Sequence, residues 1–247
     1  MVDVIGVIGA GNLASALVRG WAEPVLVTDS GSGRAIELAK EVEGTACELN
    51  STLAKLADVI VLCHKPQQLN EVAAEIAPNA KVVISTLARV TLDELQAAYP
   101  KAKVARVMPS IAAELGKGIT VVANGGKAQN EAVGLFSRVG DVVEVDEDQI
   151  EAATAIAGVG PAYVAAVVEA WSEAGANHGL SPEQATAMAV ASVAGGAALI
   201  ESRDNDAAAV REAVSSPGGV TLKGLAALDE AGLKQAFEDA TKAVIGE

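Results

Sequence analysis

Aromatic residues are nearly absent from this sequence, with two Trp, two Tyr and two Phe in 247 positions. A core large enough for this length therefore has to be built from Val, Leu, Ile and Ala, which suits parallel strands covered by Ala-rich helices. Cysteine is as scarce: Cys47 and Cys63 sit in apolar surroundings without metal-ligand spacing, as small core residues of a reducing compartment do. His64 and His178 have no metal-ligating partner at a suitable spacing, so no metal site is expected. Positive charge is in deficit, 18 Lys and Arg against 32 Asp and Glu, and the net charge of −14 repels nucleic acid and anionic membrane surfaces. Any anionic ligand must be held by local donors. No basic segment precedes the N-terminal apolar run, which Asp3 and glycines interrupt, and no uninterrupted apolar run reaches about eighteen residues. The expectation is a soluble, cytoplasmic protein without signal peptide or membrane span.

What is present is an alternation of short β-branched runs with helical segments as far as Glu147. Strands are expected at Val4–Ile8, Val25–Thr28, Val59–Cys63, Val82–Ser85, Val104–Met108, Thr120–Ala123 and Val142–Val145. Helices are expected at Leu13–Trp21, Arg34–Val42, Leu69–Ile76, Leu92–Ala98 and Asn130–Arg138. This order predicts a doubly wound, mostly parallel α/β sheet of Rossmann type with right-handed crossovers. Beyond Val145 the strand signal stops and Ala-rich helices take over. Asp146-Glu147-Asp148 supplies an acidic first turn, Pro161 opens a helix to about His178, and Ser181-Pro182-Glu183-Gln184 has the pattern of a capping box. Gly195-Gly196 inside the next helix predicts close approach of a neighbouring helix. Two domains follow: a dinucleotide-binding domain over 1–147 and a helical domain over 148–247. The apolar faces of the second are too broad for one copy to cover, which predicts a dimer interface.

The first candidate site lies at the N-terminus. Gly9, Gly11 and Ala14 occupy the small positions of G-x-G-x-x-G/A between a strand and a helix. The helix start at Asn12 and Leu13 then offers backbone N–H groups to a pyrophosphate. Asp29, 18 residues beyond Gly11, ends the second strand where an acid reads a free ribose 2′-OH. The following Ser30-Gly31-Ser32-Gly33-Arg34 is instead the kind of loop that holds a 2′-phosphate, so NADP and NAD both remain open. His64, Lys65 and Pro66 end a buried strand, and Met108 and Pro109 end another expected beside it, so all five should border the cofactor. Arg106 either attracts an anionic substrate or forms a salt bridge at the sheet edge, the second being the preferred account. In the helical half, Ser215-Ser216-Pro217-Gly218-Gly219-Val220-Thr221 leads into a helix over Leu222–Ala231. It is either a carboxylate cradle at a helix N-terminus or an ordinary interhelical turn.

These segments together resemble the pyrroline-5-carboxylate reductase family. The likeness runs through Gly6-Val7-Ile8-Gly9-Ala10-Gly11-Asn12, Ala57-Asp58-Val59 to Lys65-Pro66-Gln67, and Arg106-Val107-Met108-Pro109. It continues through Gly158-Val159-Gly160-Pro161-Ala162-Tyr163 and Ser215 to Thr221 with Gly224-Leu225. The resemblance implies a Rossmann domain, a dimerising helical domain, and reduction of Δ1-pyrroline-5-carboxylate to proline by NAD(P)H. It assigns the substrate carboxylate to Ser216, Gly218, Gly219, Val220 and Thr221, with the Thr221 hydroxyl near the imine nitrogen. The sequence departs from the family's usual pattern at Ser110-Ile111-Ala112-Ala113, at Ala157 and Val159, and at His64. These departures leave a reductase of another small cyclic imine or oxo acid, or a nucleotide-binding relative without turnover, as alternatives.

Overall fold

The computed structural model describes residues 4–246, so residues 1–3 and 247, at the outer ends of the two expected domains, lie outside the described residues. The chain divides into two compact units, one up to Val159 and one from Gly160. In the first unit strands and helices alternate as β1 (Ile5–Ile8), α1 (Asn12–Trp21), β2 (Leu26–Thr28), α2 (Arg34–Glu41), β3 (Thr45–Ala46), α3 (Asn50–Leu56) and β4 (Val59–Leu62). There follow α4 (Leu69–Ile76), β5 (Val82–Ser85), α5 (Leu92–Ala98), β6 (Lys103–Pro109), β7 (Gly118–Ala123), α6 (Gln129–Phe136), β8 (Gly140–Val145) and α7 (Ile150–Ala157). The eight strands form one sheet in the order β3-β2-β1-β4-β5-β6-β7-β8. All pairs are parallel except β6 with β7. That exception has a simple cause. Only a single 3-10 turn, Ile111–Leu115, separates β6 from β7, whereas a parallel crossover needs about a dozen residues or more.

Period-two alternation sends successive side chains to opposite faces of the sheet. Val7 and Val61 enter a core with Leu17, Trp21 and Phe136. Ile8, Ile60 and Leu62 enter the other, with Leu53, Ile76, Leu95 and Tyr99. Trp21 meets Phe136 edge-on with ring centroids 5.8 Å apart, so two of the scarce aromatics are spent in one core. The expected strands and helices are present, with two additions. The two-residue β3 and the short α3 escape the periodicity because neither is long enough to show one; β3 exists through its register with β2, Leu26 opposite Thr45.

The second unit holds α8 (Gly160–Asn177), α9 (Pro182–Glu201), α10 (Ala207–Ala213), α11 (Val220–Glu230) and α12 (Leu233–Ile245). The expected capping box forms: Ser181 Oγ accepts from Gln184 N–H at 3.2 Å, and Gln184 Oε1 accepts from Ser181 N–H at 3.0 Å. A side chain added at Gly195 or Gly196 would meet nothing within 4 Å, so the described residues of this chain do not supply the close helix expected there. Among the described residues of this unit only Ala185 and Ala189 are fully buried, while Val164, Val167, Trp171, Met188 and Val190 lie exposed. Against the expectation of no membrane span, Glu147–Asn177 and Pro182–Glu201 are long and apolar enough to cross a membrane by length and composition, with mean hydropathies of 1.5 and 1.2.

Candidate active site

β1 delivers the chain to Gly9, whose φ of +105° is a conformation that side-chain-bearing residues rarely adopt. Its N–H donates to Thr28 C=O at 2.9 Å, tying the turn to the end of β2. A Cβ here would stand 2.7 Å from the Cys63 carbonyl carbon and oxygen and 2.9 Å from His64 N. The loop therefore passes directly against the end of β4, which no residue larger than glycine allows. Gly11 is different: its φ is an ordinary −77° and a Cβ would meet nothing within 4 Å. It leaves open space at the start of α1. No side chain caps this helix, so its first backbone N–H groups face that space as donors.

Around these donors opens a cleft of about 770 Å³ along the carboxyl ends of β1, β2, β4 and β5. Among the expected cofactor residues, Gly9, Gly11, Leu13, Asp29, Ser30, Arg34, His64, Lys65 and Pro66 line it. Asn12, Met108 and Pro109 do not. The Asn12 side chain lies beside the loop after β2, its Oδ1 accepting from Arg34 Nη2 at 3.0 Å. Met108 packs with Val121, Ala123 and Ile150. Pro109 is buried opposite Thr120 of β7. Residues that the sequence did not single out also line the cleft, among them Thr28, Asn50, Glu75 and Thr86. Thr28 Oγ donates to Asn50 Oδ1 at 2.6 Å, and Asn50 Nδ2 donates to Glu75 Oε2 at 2.9 Å. Thr86 follows β5, so the rule that ligands lie beyond the carboxyl ends of parallel strands could have found it. Asn50 opens α3, the helix without a visible period.

The Asp29 carboxylate turns back into its own loop. Oδ1 accepts from Gly31 N–H at 2.8 Å, while Oδ2 accepts from Ser32 Oγ–H at 2.6 Å and from Ala35 N–H at 3.0 Å. The Ser32 hydroxyl, then these backbone donors, hold its pKa below the usual carboxylate range, so it stays ionised. Burial pushes the His64 imidazolium down from its ordinary value, favouring neutral imidazole. Its Nδ1 lies 2.9 Å from Lys65 C=O; because a carbonyl can only accept, Nδ1 carries the proton. Cys63 is pushed up to about 12 by burial, so its thiol stays protonated.

Arg106 is not available to a substrate. It is 3% exposed, with Nη1 3.4 Å from Glu147 Oε1 and Nη2 2.5 Å from Glu151 Oε1. The salt-bridge account holds, although its acids come from α7 and the turn before it. In the second unit, Ser216 to Gly219 forms a turn in which Gly219 N–H donates to Ser216 C=O at 2.9 Å, with Gly218 at φ +72°. A Cβ on Gly219 would approach Ser216 Oγ to 2.5 Å. Unlike α9, α11 receives no side-chain cap although two serines precede it, and Ser215 Oγ is buried without a hydrogen-bond partner among the described residues. Val220 is exposed and Thr221 half-buried at the start of that helix. The uncapped N–H groups and nearby hydroxyls form a donor set suited to a carboxylate.

Comparison with known proteins bears on both halves of the chain. The family described as "Pyrroline-5-carboxylate reductase dimerisation" matches residues 147–247, and that described as "NADP oxidoreductase coenzyme F420-dependent" matches residues 4–89. A pyrroline-5-carboxylate reductase of Synechocystis is 34% identical over 97% of this chain and 94% of its own length. That of Corynebacterium melassecola is 36% identical over 97% and 95%. The crystal structure of a pyrroline carboxylate reductase from Plasmodium falciparum with NADP bound superposes with a TM-score of 0.87, at 26% identity, over 99% of this chain and 96% of that one. With relatives above 30% identity along nearly its whole length, the chain belongs to the pyrroline-5-carboxylate reductase family.

Proposed function

We propose that this protein reduces Δ1-pyrroline-5-carboxylate to L-proline, the last step of proline biosynthesis, using NAD(P)H. The observation that carries the reading is the pair of uncapped helix starts: α1 behind Gly9 and Gly11, and α11 behind Gly218 and Gly219. Each offers N–H donors to an anion, as a dinucleotide and an amino-acid carboxylate require. The residues fit a dinucleotide: Gly11 leaves the room beside α1 that a pyrophosphate needs, and the cleft runs on to the ends of β2 and β4. When bound, the reduced nicotinamide supplies the hydride that converts the imine carbon to a tetrahedral carbon. Gly9, Gly11, Asn12 and Leu13 bind and orient it at α1; Asp29, Ser30 and Arg34 border its adenosine end. His64, Lys65, Pro66, Met108 and Pro109 are assigned to its remaining length, although the last two lie outside the cleft lining.

Ser216, Gly218, Gly219, Val220 and Thr221 hold the substrate carboxylate, and the Thr221 hydroxyl donates a hydrogen bond to the ring nitrogen, which takes a proton from solvent, directly or relayed through that hydroxyl, as the C=N bond becomes C–N. Positioning accounts for most of the protein's part, since two reactants held at the correct distance need no protein nucleophile. Purified protein will oxidise NADPH or NADH when pyrroline-5-carboxylate is added. Thr221→Ala will lower kcat/KM by about 10- to 100-fold, as loss of one hydrogen bond to a charged group does, with an unchanged melting temperature. No turnover with either nucleotide in folded protein refutes the assignment.

The second unit serves homo-oligomerisation, which accounts for helices too apolar to face water alone. Val164, Val167 and Trp171 on α8 and Met188 and Val190 on α9 are exposed in the single chain. Their burial against a second copy replaces the membrane that their hydropathy would otherwise suit, and the protein is assigned to the cytoplasm. Sedimentation at micromolar concentration will give a dimer or a larger assembly, and a monomer alone contradicts this.

A further inference from the structure

An acid at the end of β2 ordinarily reads a free ribose 2′-OH and repels a 2′-phosphate. To read the hydroxyl, its oxygens must face the ligand. Here both are already engaged, with Gly31 N–H on Oδ1 and with Ser32 Oγ–H and Ala35 N–H on Oδ2. Ala35 N–H belongs to the first turn of α2, whose N-cap residue Gly33 has no side chain to satisfy it. Asp29 thus caps α2 from six residues away and fixes the Ser30–Gly33 loop in one shape. The three donor dipoles offset part of its charge on the side turned into the loop. Arg34 stands on the same turn, exposed at the cleft wall, with Nη2 donating to Asn12 Oδ1 and so directed across the start of α1. A guanidinium has five donors in a planar fork, enough to keep the Asn12 contact and grip a phosphate as well.

We propose that Asp29 is a positioning residue that shapes the Ser30–Arg34 loop into a 2′-phosphate seat, with Arg34 as its cation, so that the protein selects NADPH over NADH. This rests on the reading of the cleft as a dinucleotide site. It reverses the usual consequence of an acid at this position: removing the carboxylate loosens the seat and lowers NADPH selectivity, where removing a ribose-reading acid would raise it.

The test is direct fluorescence titration of NADPH and NADH, without substrate, against the wild type, Asp29→Ala, Asp29→Asn and Arg34→Gln. The wild type should bind NADPH at least about tenfold more tightly than NADH, in line with a charge-assisted bidentate contact. Arg34→Gln should remove most of that ratio by weakening NADPH far more than NADH, since only NADPH carries the 2′-phosphate. Asp29→Ala should lower the ratio severalfold. Asp29→Asn keeps one acceptor oxygen and the size of the side chain, so it should fall between Asp29→Ala and the wild type, and it serves where alanine prevents folding. A rise in the NADPH-to-NADH ratio in either Asp29 variant overturns the proposal, as does equal binding of the two nucleotides by the wild type. Failure of the wild type to bind either nucleotide removes the dinucleotide reading itself and this inference with it.

Discussion

Gly9→Ala will give a protein that binds neither NADPH nor NADH measurably and whose first unit unfolds at clearly lower urea, by about 3 kcal/mol or more. Two costs add at this position. The φ of +105° lies outside the region an alanine tolerates, and the new methyl would stand 2.7 Å from the Cys63 carbonyl carbon and oxygen. Those are backbone atoms of the segment that ends β4, so no rotamer change relieves the contact. Either β1 and β4 separate at their carboxyl ends or the turn takes another path, and both displace the start of α1. Gly11→Ala is the control that separates folding from binding. Its backbone is already in a conformation open to alanine, and the added Cβ meets nothing within 4 Å. Its urea midpoint should stay near that of the wild type while nucleotide affinity falls, because the methyl takes up space that the pyrophosphate needs. Equal loss of stability in the two variants would contradict this account.

The contrast shows what spacing conveys and what it leaves open. The strand, glycine turn and helix from Ile5 to Trp21 were legible because three local signals agree over consecutive residues: β-branched run, small-residue spacing and helical period. The same holds for the capping box at Ser181. The position of Asp29 at the end of β2 was equally legible, but the direction of its carboxylate was not. Spacing places a Cα, whereas the choice between a ribose and three loop donors depends on the path of Ser30 to Arg34. Asn50 has no signal in the sequence because α3 has seven residues, too few to show a period. Composition leaves the carboxylate cradle level with an ordinary turn, since an uncapped helix start is a matter of where the serine side chains point. The breadth of apolar surface on α8 and α9 was visible from composition; what covers it is a property of the assembly, not of one chain.

Arg106 shows the same limit over a longer range, and its replacement carries the other large effect. Its partners lie 41 and 45 residues away in sequence, beyond any local pattern. In the fold they form a knot: Glu147 Oε1 accepts from both Arg106 and Leu92 N–H, the latter at 2.6 Å at the start of α5, while Glu151 brings in α7. Arg106→Ala therefore leaves two carboxylates without their cation and a void beside β6. The expected loss is about 3 kcal/mol, the lower end for breaking a buried pair, since the two glutamate side chains are 32% and 34% exposed and water can reach them. Arg106→Met with Glu147→Gln and Glu151→Gln should recover most of that loss. The methionine fills the void, the amide oxygen that Glu147→Gln retains can still accept from Leu92 N–H, and no unpaired charge is left behind. Urea unfolding of the single and triple variants measures the difference. A substrate-attracting Arg106 makes the opposite prediction, a raised KM for pyrroline-5-carboxylate at unchanged stability. At 3% exposure, with both terminal nitrogens held by glutamates, the guanidinium has no face left for a substrate, so the folded fraction of Arg106→Ala should keep its KM.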